Sequence, residues 1–220
     1  MILENRNNIS QDYLRAILHI EAKDGIASNN SLSKELGISG ASVTEMLNKL
    51  SNQGLMNYKP YQGASLTKKG KKLALEITRR HRLWEVFLSE KLGFDWDEIH
   101  ILAHKFEHIV SEKLIHKLDD FLGNPTHDPH GDPIPDKNGW LPDENLIQLS
   151  EIKSKRFVHL SKIEDENPEV LKYFSNIGLQ LNSSVKILEI YLFDGSIRIK
   201  YKSKEIIISK KLAESIFVKN

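Results

Sequence analysis

Apolar residues recur every three to four positions through the first half of the chain and every second position through the last third. A helical part therefore precedes a sheet-forming one. Over residues 9–22, Tyr13, Ala16, Ile17, Leu18 and Ile20 keep the helical period behind Ser10, a natural N-cap. Asn30-Ser31 open a short helix over 32–36 that Gly37 stops, and Ile38-Ser39-Gly40 makes a tight turn. Residues 41–53 place Val43, Met46, Leu47 and Leu50 on one face, with Gly54 as C-cap. Two extended stretches, 55–58 and 64–66, flank a Lys59-Pro60-Tyr61-Gln62-Gly63 tip. Thr67 then caps a helical run to Leu88, and a second run is expected from Trp96 to about Leu122. Residues 123–145 lose all periodicity and are rich in Pro, Gly and Asp, a length that marks either a linker or a functional segment. Beyond them, strands are expected at 157–160, 185–193, 196–201 and 205–208. Asp194-Gly195 supplies a hairpin turn, and a helix is expected over 168–176.

This order predicts an α+β protein of three parts. A winged helix-turn-helix occupies 1–74, and an all-helical unit 75–145 includes the irregular segment 123–145. A small β-barrel follows at 152–220. There is no cysteine among the 220 residues, which excludes disulfides, zinc–thiolate sites and a cysteine nucleophile. No apolar run is long enough to span a membrane, and the N-terminus lacks a secretory pattern, so a cytoplasmic protein is expected.

The net charge of +1 conceals a division along the chain. Residues 1–75 hold ten Lys/Arg against six Asp/Glu, residues 76–150 eight against fifteen, and residues 151–220 thirteen against nine. Seven of the nine histidines fall in the acidic middle block. A basic first unit points to nucleic acid. In a winged helix-turn-helix the helix after the turn enters the major groove, N-terminal residues first. Here these are Ser39, Ala41, Ser42, Thr44 and Glu45, short or polar side chains that let the backbone approach base edges. Lys49, Lys59, Lys68 and Lys69 would meet phosphates. The alternative is a winged helix used only for protein contacts.

His100, His104 and His108 recur at a spacing of four, with Glu107 beside them, and His81 and Glu85 repeat the spacing in the preceding helix. Facing helices bearing such pairs can close a nitrogen–oxygen cage for Mn, Fe, Co, Ni or Zn. A lone histidine on a helix is ordinarily just a polar residue. His19, His116 and His159 are read that way, but the grouping of His81, His100, His104, Glu107 and His108 is not.

These motifs together resemble the diphtheria-toxin-repressor and manganese-transport-regulator family of metal-dependent transcriptional repressors. The resemblance rests on Asp12-Tyr13-Leu14, ISGASVTEMLNKLSNQGL, LTKKGKKLA, RRHRLWEVFL, HKFEHIVSEKL, DPHGDPIP and NPEVLKYFSNIGL, and covers nearly the whole chain. It implies that the terminal barrel is SH3-like and that the helical unit mediates dimerisation. It also implies a regulatory metal site of Asp12, His81, His104, Glu107 and His108. Asp12 stands where the iron-responsive branch has methionine and the manganese branch aspartate, which favours Mn(II). His104 stands where relatives usually have Cys or Glu, which keeps Fe(II) as the second choice. Arg15 stands where short manganese regulators often have a ligating glutamate. An ancillary site would draw on Glu85, His100, Asp128, His130 and Glu166, with Asp165 as an alternative to the last. The implied function is a homodimeric repressor of metal-uptake genes. It would bind palindromic double-stranded operator DNA when metal is present, with no membrane or small-molecule substrate as partner. Two rival readings stay open at this point: a metal-dependent hydrolase with an accessory DNA-binding unit, and a DNA-binding regulator indifferent to metal.

Overall fold

The computed structural model describes residues 2–164 and 168–219. The chain divides into two compact units. One comprises Met1–His81, His104–His116 and Pro135–Trp140; the other comprises Arg82–Ala103, Lys117–Ile134 and Leu141–Asn220. Among the described residues no helix is long and apolar enough to cross a membrane.

In the first unit, α1 (Ile2–Asp24) starts earlier than its apolar period suggests and turns Tyr13, Leu14, Ala16, Ile17 and Ile20 into a core. Helix α2 (Asn29–Leu36) is capped reciprocally by Ser28 and Ser31 and stopped by Gly37 in the left-handed region. Helix α3 (Gly40–Asn52) begins at Ser39, whose side chain accepts from the Ser42 N–H, and buries Val43, Leu47 and Leu50 in the same core. Strands β1 (Met56–Lys59) and β2 (Gly63–Leu66) pair antiparallel, Met56 opposite Leu66. Tyr61 is fully exposed at the tip.

Helix α4 (Lys68–Val86) starts hard against this hairpin. Thr67 donates its N–H to the Leu55 carbonyl and its hydroxyl to that of Gly54. A Cβ on the buried Gly70 would lie 1.8 Å from the Leu55 oxygen. Only glycine lets the helix approach so closely.

The single run expected from Trp96 to Leu122 is two helices, α5 (Trp96–Phe106) and α6 (Glu112–Leu122). Ser111 caps the second of them. Its hydroxyl accepts from the Leu114 N–H and its carbonyl from the Ile115 N–H, so a fresh helix nucleates there. Glu107 and His108 lie in a turn and do not continue the face of His100 and His104. Helix α4 passes into a π-helical turn over Phe87–Lys91.

In the second unit, β3 (Leu146–Gln148), β4 (Phe157–Ile163), β5 (Ser183–Ile190), β6 (Ile197–Tyr201), β7 (Lys204–Ile208) and β8 (Ile216–Lys219) form one antiparallel sheet. Their order is β3-β8-β4-β5-β6-β7. Val158 and Leu160, Val185 and Ile187, and Ile197 and Ile199 alternate into its core, joined by Phe174 from α7 (Pro168–Asn176). The periodic pattern misses β3, β8 and α8 (Lys210–Ser215), which are too short to show a period. Within the irregular segment, Ile134 donates its N–H to Thr126 and Asp128 to Asp132, closing a tight loop over 126–134.

Gly70→Ala should lower the stability of the first unit by about 1–3 kcal/mol through overpacking. Urea unfolding followed by circular dichroism would measure this, and an unchanged midpoint would contradict the close approach.

Candidate metal centre and nucleic-acid interface

Because α1 commits Tyr13, Ala16 and Ile17 to the core, Asp12 and Arg15 share its flank one turn apart. Ligand atoms of Asp12, His104, Glu107 and His108 all lie within 4.8 Å of one another. Glu107 is fully buried. Its Oε2 is 2.5 Å from His81 Nδ1, and its Oε1 is 3.2 Å from His104 Nδ1 and 3.5 Å from Arg15 Nε. Asp12 Oδ1 is 3.3 Å from His108 Nε2 and 3.8 Å from His104 Nδ1, yet it is buried and accepts no hydrogen bond. The Gln11 oxygen, which accepts from Arg80 Nη2 at 3.4 Å, is 3.1 Å from His108 Nδ1. That makes Nδ1 the protonated nitrogen and leaves the Nε2 lone pair facing Asp12. Arg80 also donates Nε to the Glu107 carbonyl, at 2.6 Å.

The electrostatics follow this geometry. Burial pushes the Glu107 carboxyl up, but hydrogen bonds from His104 and His81 and the nearby Arg15 outweigh it and hold the group well below the carboxylate range. The hydrogen bond to Glu107 raises His104, whereas burial lowers His108 and raises Asp12. Two carboxylates and two imidazoles, with one buried carboxylate oxygen lacking a hydrogen bond, suit a divalent first-row cation. His81 touches Glu107 and stands outside this group of four.

A second grouping lies in the other unit, where ligand atoms of the buried Glu85, Asp128 and His130 come within 4.8 Å of one another. His100 Nδ1 is 3.1 Å from Glu85 Oε1. Asp128 Oδ1 accepts from the backbone N–H groups of His130 and Asp132, and Oδ2 is 3.4 Å from Arg82 Nε. Burial, then Asp132 and Glu85, raise Asp128 well above its ordinary value. Asp132 in turn is held by Arg82 at 3.2 Å and Lys162 at 2.9 Å. The loop can close because Gly131 adopts φ 87° where a Cβ would strike the Ser161 oxygen. Glu166 and Asp165 lie outside the described residues.

On the nucleic-acid side, Ser39, Ala41, Ser42, Glu45 and Lys49 are exposed along α3, and Lys59, Lys68 and Lys69 are exposed at the hairpin and the start of α4. Thr44 is committed internally. It accepts from Asn29 Nδ2 at 2.7 Å and donates to the Gly40 carbonyl at 2.9 Å, so it fastens α2 to α3. Tyr13, buried beside Asp12 on α1, donates its hydroxyl to the Ser42 carbonyl at 3.4 Å.

Three family models match the chain in succession. They are the iron dependent repressor N-terminal DNA binding domain over residues 8–64, the iron dependent repressor metal binding and dimerisation domain over 67–136, and the FeoA domain over 147–220. A solved manganese-dependent transcriptional repressor in complex with manganese shares 34% identity and superposes with a TM-score of 0.88, covering 95% of this chain and 98% of that one. The manganese regulator SloR shares 32% at a TM-score of 0.78, covering 96% and 97%. The chain belongs to the iron-dependent repressor family. The iron-dependent repressor IdeR of Mycobacterium tuberculosis is 33% identical over 147 residues, which span 64% of this chain and 64% of that protein. Members of the family are DNA-binding transcriptional repressors, and the C-terminal sheet is their small SH3-like domain.

For this iron-dependent repressor family member, reasoning from residue spacing misses Gln11, Arg80 and Tyr13. Gln11 orients His108, Arg80 grips both Gln11 and the Glu107 carbonyl, and Tyr13 reaches α3. Gln11 and Arg80 carry no periodic or ligand-type signal of their own, and the period that includes Tyr13 marks it only as a core residue. Only their adjacency to Asp12 and His81 marks them.

Metal-free His104 should titrate above 6.5 and His108 below it in a histidine-resolved NMR titration. Since the folded value of His104 is the higher one, its pairing with Glu107 adds stability below the unfolded value and loses it as pH rises through the folded one. Glu107→Gln should bring His104 back down; a His104 value that stays raised would refute the pairing.

Proposed function

We propose that this chain is a homodimeric, metal-responsive transcriptional repressor of the cytoplasm. It would bind palindromic double-stranded operator DNA when Mn(II), or alternatively Fe(II), is bound. It is not an enzyme on this reading, and metal-uptake genes are its logical targets. The reader is 1–74, the dimerisation and metal-binding unit 75–145, and the SH3-like unit 152–220. The observation that carries the reading is the adjacency of Asp12 and Tyr13 on α1. One side chain faces His104, Glu107 and His108, while the next reaches the Ser42 carbonyl of the reading helix.

A bound divalent cation supplies positive charge that Asp12, His104, Glu107 and His108 share. Asp12, with a buried oxygen that accepts no hydrogen bond, is the residue of the four with most to gain. Fixing Asp12 fixes the turn of α1 that carries Tyr13, and with it the start of α3, where Ser39, Ala41, Ser42 and Glu45 would meet base edges. Lys49 and Lys59 would meet phosphates, and each protomer of a dimer would read one half-site. Cation and DNA favour the same arrangement, so each must tighten the other's binding equally. His81, against Glu107, belongs to this regulatory site as a supporting residue or ligand. Glu85, His100, Asp128 and His130, with Glu166 or Asp165, would form the ancillary site.

The reading can be tested with a palindromic duplex selected in vitro from a random pool in the presence of Mn(II). Fluorescence anisotropy should show binding at least ~10-fold tighter with Mn(II) than with chelator. Equal affinity in both would sink the reading. Glu107→Gln should abolish the difference, and Tyr13→Phe should keep Mn(II) binding while reducing the difference roughly threefold.

Mn(II) affinity should also fall as pH drops, because a protonated imidazole cannot ligate and His104 takes its proton above 6.5. Calorimetric titrations across pH 6–8 would show the loss, and a flat profile would exclude His104 as a ligand.

A further inference from the structure

We propose that Arg15 is a built-in competitor for the cation, and that it sets the metal concentration at which the first site fills. The inference rests on Asp12, His104, Glu107 and His108 being that site. Asp12 and Arg15 stand three residues apart on α1, so one helix flank contributes both a ligand and a cation. Glu107 Oε2 lies against His81, which leaves Oε1 as the oxygen directed at His104. That same Oε1 is 3.5 Å from Arg15 Nε. A cation held by Oε1 would stand no farther from that guanidinium nitrogen than this 3.5 Å plus one metal–oxygen bond of about 2 Å. At that range the repulsion between a doubly and a singly charged cation greatly exceeds thermal energy, even in a partly solvated pocket. Arg15 Nε is buried and donates no hydrogen bond, so charge and not a directional bond holds it there. With a quarter of its side-chain surface exposed, Arg15 has solvent to withdraw into. In the metal-free chain it thus occupies the electrostatic place of the ion, and binding must push it out.

The test is Mn(II) titration by calorimetry of the full chain carrying Glu85→Gln and His100→Gln, which disable the other carboxylate–imidazole groupings able to hold a cation. Arg15→Gln in this background should bind Mn(II) roughly tenfold or more tightly, and Arg15→Lys, which keeps a cation, should stay within about threefold of the parent. The metal-free Tm of Arg15→Gln should fall while its rise on adding Mn(II) grows. Should Arg15→Gln not fold, Arg15→Met keeps the apolar stem and makes the same prediction. Unchanged or weaker Mn(II) affinity on removing the charge overturns the proposal. Glu107→Gln in the same background separates the two failures: if it leaves Mn(II) binding intact, the site itself is misassigned and the role of Arg15 falls with it.

Discussion

A carboxylate taken wholly out of water must be surrounded by donors or cations, and the Glu107 side chain is surrounded by three. His81 comes from α4, His104 from the last turn of α5 and Arg15 from α1, so one buried charge draws three helices to a point. Its backbone is held as firmly, because Arg80 takes the carbonyl that the interrupted helix leaves without an intrahelical partner. The helix break at 107–111 and the rotation of α1 both serve this one group. So does the row of charged and imidazole side chains around it.

The same arrangement gives α1 two faces with separate tasks. The flank bearing Asp12 and Arg15 looks toward Glu107, and the buried face bearing Tyr13 belongs to the core that positions α2 and α3. A helix is stiff over one turn, so a force on residue 12 is felt at residue 13 without any intervening hinge. The acidic middle of the chain and the basic first part, opposite in sign, meet the two kinds of partner expected of a family of DNA-binding repressors.

The second grouping obeys the same rule by different means. Asp128, His130 and Glu85 are buried in a unit whose sheet was built by simple alternation. What brings Asp128 and His130 together is the loop over 126–134, closed by backbone hydrogen bonds and by Gly131 at a positive φ. Arg82 and Lys162 hold the neighbouring Asp132, so the extra carboxylate there has its own cations.

Much of this was legible in residue order. Helix and strand periods placed the reading helix, its wing and four strands of the terminal sheet, because burial of one face imposes a period that the chain must carry. The absence of cysteine and the i, i+4 histidines limited the chemistry to imidazole and carboxylate. Tertiary structure decided the rest, and the reason is distance along the chain. The chain leaves α5 after Phe106 and restarts as α6 behind Ser111, so Glu107 and His108 lie off the helix face that their spacing suggests. Gln11 reaches His108 across 97 positions and Arg80 across 69, and Arg80 reaches Glu107 across 27, where no periodicity reaches. Arg15 looks like one more surface charge until the fold sets it beside the buried carboxylate. A sequence carries the pattern that buries a face; which charges end up facing one another is a property of the packed helices alone.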